Sequence, residues 1–184
     1  MIQAEPDALE VHVVAMRRRH LRSVLRIEGL VYPRPWSASL FLSELAMRSS
    51  RAYFVGRVGR DVVGYAGLMM SVDDGHVTTI AVDPPWHRRQ IGMRLLMTLA
   101  REAIAREAVN LTLEVRLSNK GAQELYRRFG FVPVGVRKNY YAETNEDALI
   151  MWANDINQPE YQDLLDGLER QIRGTTTVEE IKRW

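Results

Sequence analysis

Three groups of residues in this chain are of types that do chemistry. The first is the turn Trp86-His87-Arg88-Arg89-Gln90-Ile91-Gly92, between an apolar strand pattern and a long helical pattern. A helix N-terminus leaves backbone N–H groups unpaired and carries partial positive charge. It therefore suits a phosphate or pyrophosphate, and Arg88 and Arg89 add full charges. The second is Glu114 in Leu111-Thr-Leu-Glu-Val-Arg116, a carboxylate able to accept a proton. The third is Tyr126 in Ala122-Gln-Glu-Leu-Tyr-Arg-Arg-Phe-Gly130, a phenol able to give one. Taken singly, each has an ordinary explanation: an exposed basic turn, a carboxylate paired with Arg116 or another cation, and a packed ring. The turn is no Walker loop, because no Gly-Lys-Ser/Thr follows, and no dinucleotide fingerprint, because the three-glycine spacing is missing. His12, His20, His76 and His87 show no metal-ligand spacing and read as structural or exposed.

The elements that must position these groups are legible as periodicities. Val11, Val13 and Ala15 predict a strand after a loose leader over residues 1–9. Leu21, Val24, Leu25, Ile27 and Leu30 predict a helix from Arg18 to Tyr32, ended by Pro33 and Pro35. Ser37 or Ser39 caps a short helix over 40–47. Strands follow over 53–58 and 62–70, with Gly59-Arg60-Asp61 as a turn between them. Asp73-Asp74-Gly75 predicts another turn, and 76–82 a third strand. A helix over 90–107, a strand over 111–116 and a helix from Ser118 or Asn119 to about Phe129 come next. Gly130 falls where a helix end takes a left-handed residue. Strands over 131–140 and 148–152 complete a mixed α/β sheet that is not doubly wound. On strand alternation Leu111, Leu113 and Val115 face one way and Thr112, Glu114 and Arg116 the other. Beyond Asn154, Tyr161, Leu164, Leu165, Leu168 and Ile172 predict an amphipathic helix. Gly174, three threonines and an acidic-basic end follow it.

Composition narrows the class. The chain has 184 residues, 46% of them apolar, enough for one domain with its own core. A net charge of +2 does not argue for nucleic acid as a partner, although basic residues cluster at Arg17–Arg19 and at Arg88-Arg89. The absence of cysteine excludes disulfides, thiolate zinc sites and a cysteine acyl-enzyme. No apolar run approaches the ~20 residues of a membrane span, and no signal-peptide pattern opens the chain. The expectation is a cytoplasmic protein without membrane association.

The order of these motifs carries more than any one of them. Val-Asp-Pro, Arg-Arg-x-x-Gly, Leu-Glu-Val-Arg, Ser-Asn and Leu-Tyr-x-x-Phe-Gly-Phe resemble the GCN5-related N-acetyltransferase (GNAT) superfamily. Pro35-Trp36-Ser37, Arg137-Lys-Asn-Tyr-Tyr141 and Glu146-Asp-Ala-Leu-Ile-Met151 are similar to its RimI branch, the ribosomal-protein N-terminal alanine acetyltransferases. The resemblance spans about residues 10–152. It implies a GNAT domain over 1–154, followed by a C-terminal helical extension over 155–184. It implies a mixed, mostly antiparallel sheet flanked by helices, with splayed strands forming an acetyl-CoA cleft.

By the same resemblance, Ile80, Ala81 and Val82 run along the pantetheine arm. The turn Arg88, Arg89, Gln90, Ile91, Gly92 and Met93 receives the pyrophosphate, and Asn119 and Tyr126 also touch the co-substrate. Glu114 is the general base and Tyr126 the general acid; Trp36, Tyr140 and Tyr141 flank the acceptor groove. Where the family turn has its first glycine this chain has Gln90, whose side chain is expected to crowd the phosphates or hydrogen-bond them. The implied reaction is direct attack of a neutral amine on the thioester, with no metal. Near neutral pH an α-amine is easier to deprotonate than a lysine by roughly 3.5 kcal/mol. The implied acceptor is a protein N-terminus, in the first place that of a ribosomal protein. Other acceptors (broader N-termini, a lysine, a small amine) and a non-catalytic acyl-CoA sensor stand beside it. The expected state is a monomer or a weak homo-oligomer.

Overall fold

The computed structural model describes residues 8–179. The expected leader lies outside the described residues except for Ala8 and Leu9, and so does the acidic-basic end beyond Glu179. The chain opens with strand β1 (Glu10–Ala15), a turn of 3-10 helix, and helix α1 (Leu21–Val31). Leu21, Val24, Ile27 and Glu28 form the buried stripe of α1. Helix α2 (Ala38–Ala46) begins at Ser37, whose hydroxyl accepts from the Leu40 N–H at 3.2 Å. Strands β2 (Arg51–Val58), β3 (Asp61–Ser71) and β4 (Asp74–Val82) form an antiparallel meander. The turn expected at 73–75 is tighter: Val72, at φ 52°, and Asp73 make it, and β4 already begins at Asp74.

Helix α3 (Ile91–Ala105) crosses to strand β5 (Asn110–Arg116), and helix α4 (Lys120–Arg128) follows. Asn119 caps α4 by accepting from the Ala122 N–H, and Gly130 leaves it at φ 79°. Strands β6 (Val132–Tyr141) and β7 (Glu146–Ala153) form a hairpin, and helix α5 (Pro159–Glu169) comes after it. The last element is one the sequence reading lacked. Thr175–Val178 is a strand, β8, which pairs in parallel with β1.

Among the described residues, eight strands make one sheet in the order β6-β7-β5-β4-β3-β2-β1-β8. Its pairings are antiparallel except β4 with β5 and β1 with β8. Leu95, Leu96, Leu99 and Ala103 of α3 lie fully buried on one face, against Phe54, Ala66, Leu111 and Leu113 of the strands. Tyr161, Leu165 and Leu168 of α5 join the same core. The other face carries α1 and α2 over Phe41, Val55 and Tyr65. What positions the site is a fork in the sheet. Strands β4 and β5 pair at Asp74–His76 with Asn110–Thr112 and no further, while each stays paired on its outer edge. β4 also bulges at Thr78, which falls between the pairs Gly67–Thr79 and Leu68–Val77.

Candidate functional site

The fork opens a cleft of about 1290 Å³. Its walls are residues 77–82 of β4 and 113–116 of β5, and the first turns of α3 and α4 close one end. At that end the chain turns through two left-handed residues, Arg88 at φ 64° and Gln90 at φ 60°. No side chain caps α3. Its first N–H groups are therefore without an intrahelical acceptor and face the cleft. Ile91 and Met93 send their side chains into the core, so at these positions the backbone N–H is what a ligand can reach. Gly92 keeps the turn open: a Cβ there would meet nothing nearer than 3.4 Å. Arg88 lines the cleft. Arg89 does not; its guanidinium stacks over the Trp86 ring at 5.2 Å, where it gains a cation–π contact.

Gln90 lines the cleft, and its side-chain amide is engaged within the protein, with Nε2 donating to the Gln171 carbonyl and Oε1 accepting from the Arg173 N–H. Asn119 spends its side-chain oxygen on capping α4 and lines the cleft beside Gly121. Along β4, the Tyr32 hydroxyl donates to the Ile80 carbonyl at 2.8 Å, and a ring nitrogen of His87 lies 2.9 Å from the Val82 carbonyl.

Glu114 and Tyr126 both reach the cleft. Arg116 is not the partner of Glu114. It pairs with Glu143 and Glu146 of the β6–β7 hairpin and lies over the Tyr141 ring at 3.9 Å. Glu114 instead meets His76 Nε2 at 3.1 Å and Arg137 at 3.6 Å. His76 Nδ1 lies 2.7 Å from Thr112 Oγ1, which fixes the ring. The His76 hydrogen bond is the largest effect on the Glu114 carboxyl; burial opposes it, and with the added His76 and Arg137 charges the carboxyl is held below its ordinary range. Tyr126 is buried, packs against Phe131 with ring centroids 5.8 Å apart, and burial pushes its phenol well upward. It therefore stays protonated. Trp36, Tyr140 and Tyr141 form the opposite, aromatic end of the cleft, the two tyrosines edge to face.

Among the cleft residues that escaped the sequence reading are Glu28, Tyr32 and His76. Glu28 had a signal, being a carboxylate inside the apolar stripe of α1. It is 2% exposed, accepts the Trp36 N–H at 2.8 Å and the Tyr65 hydroxyl, and burial raises its pKa. His76 had none, since the contact depends on where β4 and β5 part. Among the described residues no group of three or more His, Cys, Asp or Glu could hold a metal ion. No helix among them is long and apolar enough to cross a membrane.

A sheet forked between two parallel strands, with an uncapped helix at one end and a carboxylate and a protonated phenol in the walls, is a cleft suited to group transfer. Residues 21–131 match the acetyltransferase (GNAT) family model, and the chain belongs to that family. The ribosomal protein bS18-alanine N-acetyltransferase of Salmonella typhimurium is 36% identical over 135 residues, covering 71% of this chain and 88% of that protein. The N-alpha-acetyltransferase RimI of Mycobacterium tuberculosis is 37% identical over 152 residues, 79% of this chain and 93% of the relative. The crystal structure of the ribosomal-protein-S18-alanine N-acetyltransferase from Escherichia coli superposes with a TM-score of 0.72. It shares 31% identity and covers 79% of this chain and 94% of its own.

Proposed function

We propose that the chain transfers the acetyl group of acetyl-CoA to the N-terminal α-amine of a protein, in the first place a ribosomal protein that begins with alanine. The observation that carries this reading is the single cleft joining an uncapped, glycine-bearing turn to an aromatic mouth, with Glu114 and Tyr126 between them. The family and the relatives named for alanine acetylation support it. When bound, acetyl-CoA supplies an activated thioester. The N–H groups of Ile91, Gly92 and Met93 and the Arg88 charge suit its pyrophosphate. The inner edge of β4 beyond His76, which β5 does not pair, suits its amide-bearing arm.

The residues of the chain then handle two protons. Glu114, directly or through one water, takes the proton that the attacking amine loses as the N–C bond forms. Tyr126 gives its proton to the sulfur as the C–S bond breaks. A thiolate of pKa near 8.5 is a good leaving group, so a weak acid suffices. The aromatic mouth of Trp36, Tyr140 and Tyr141 admits an extended N-terminal segment and leaves its α-amine facing Glu114. The test is an acetyl-transfer assay on peptides that differ in their first residues. We expect α-acetylation of a peptide beginning with alanine. Modification of internal lysines alone would refute the reading, and acetyl-CoA binding with neither thiol release nor transfer to any peptide would favour a sensor.

A further inference from the structure

Gln90 holds a left-handed backbone, φ 60°, which glycine adopts freely and other residues resist. What holds it there is the end of the chain. Its Nε2 donates to the Gln171 carbonyl at 3.0 Å and its Oε1 accepts from the Arg173 N–H at 2.9 Å. The partners lie 81 and 83 residues further along. Both are backbone groups, so both polar ends of the amide are engaged by main chain. The same segment is gripped from three other directions. Arg94, 1% exposed, donates to the carbonyls of Arg173 and Thr175 and to the Thr176 hydroxyl. Arg128, at the end of α4, donates to Gln171 Oε1 at 2.8 Å. Gly174, at φ 79°, lies so close to Leu9 that a Cβ would come within 2.2 Å of its carbonyl oxygen.

We propose that residues 171–176 form a strap that sets the conformation of the co-substrate turn, with Gln90 as the latch between them. Where a glycine would take the left-handed geometry by its own freedom, this chain takes it by a two-bond tether to its C-terminal extension. Gln90 is a positioning residue: its side chain holds the turn, and the turn's N–H groups meet the ligand. The strap lies outside the part of the chain that the family model matches, which stops at residue 131. Occupancy of the turn and order in the strap are linked, because each stabilises the arrangement the other needs. The inference rests on the acetyl-CoA reading of the turn.

The test uses full-length variants. Gln90→Ala keeps the left-handed demand and loses both bonds, so the KM for acetyl-CoA should rise about tenfold with kcat within about twofold. Gln90→Gly loses the same bonds but also the strain, and should stay within about threefold of wild type. Gly174→Ala lies outside the cleft, yet by forcing the strap off Leu9 it should raise the same KM. Hydrogen exchange reads the link without turnover. CoA added to wild type should slow exchange at residues 171–178 as well as at the turn, and in Gln90→Ala the slowing at the strap should vanish. If Gln90→Ala fails to fold, Gln90→Gly carries the exchange measurement. A wild-type KM in Gln90→Ala, or CoA binding without protection of the strap, overturns the proposal. Gly92→Asp separates the two readings, because it sets a carboxylate in the turn at a position where a Cβ makes only ordinary contacts. Undiminished CoA affinity in that variant removes the pyrophosphate assignment itself. Lost affinity there, with Gln90→Ala unchanged, removes the strap alone.

Discussion

In the proposed reaction, with Tyr126 as proton donor and Glu114 as proton acceptor, the two need opposite treatment from their surroundings. A proton donor must keep its proton through neutral pH, and burial of Tyr126 does that by penalising the phenolate. A proton acceptor must be ionised, and Glu114 is buried too, which by itself would work against it. The His76 imidazole and the Arg137 guanidinium reverse the outcome and hold its carboxyl below the ordinary range. A depressed folded-state pKa stabilises the fold above the unfolded value of about 4.3 and loses that contribution as pH falls through the folded value. It also keeps Glu114 ionised wherever an α-amine titrates. Replacing His76 with Ala removes the larger of the two favourable effects. The Glu114 pKa should rise, and the acid limb of the kcat/KM profile should move to higher pH with it. A limb that stays in place would detach His76 from the base.

At the scale of elements, the aromatic mouth depends on the loop between α1 and α2, and that loop is tied down by Glu28. The buried carboxylate accepts the Trp36 N–H and the Tyr65 hydroxyl, and the Trp36 ring packs against Phe41 at 5.3 Å. Glu28→Ala leaves two donors unpaired and frees the loop. The peptide KM should rise about tenfold while the KM for acetyl-CoA, whose turn lies at the other end, stays within about twofold. Equal rises in both would mean that Glu28 holds the whole cleft rather than its mouth. The helices of this architecture were readable from their apolar spacing: Leu21, Val24 and Ile27 give α1, and Leu95, Leu96 and Leu99 give α3. The serine and asparagine caps of α2 and α4 were readable for the same local reason. The fork was not, because the three-residue register of β4 on β5 depends on packing against β3 and β7. His76 as partner of Glu114 went unseen with it. Strand β8 was hidden differently. Thr175, Thr176 and Thr177 favour extended backbone, but the strand they join is β1, at the opposite end of the chain.

The whole molecule is held together across that same seam. The extension is anchored by α5 in the main core and by β8 on the sheet edge. The Tyr161 hydroxyl donates to the Phe129 carbonyl at 3.0 Å. On the surface, Arg101 meets Asp166 and Glu169, pairs that contribute little in water. Arg94 is the interior tie. Its guanidinium is fully buried between α3 and the strap, burial lowers its pKa, and three neutral acceptors on the strap take its Nη donors. Arg94→Met keeps much of the side-chain volume and strands the Arg173 and Thr175 carbonyls and the Thr176 hydroxyl without a donor. Losing these three part-buried hydrogen bonds costs about 3 kcal/mol, roughly 1 kcal/mol each. In a chain of this size that lowers the unfolding midpoint by roughly 6–12 °C. The measurement is thermal unfolding with and without CoA. The ligand should stabilise the variant less than wild type, because the strap it acts through is already loose. If the variant instead unfolds at the wild-type temperature, the extension is held by α5 alone, and the coupling between the end of the chain and the co-substrate turn loses its structural basis.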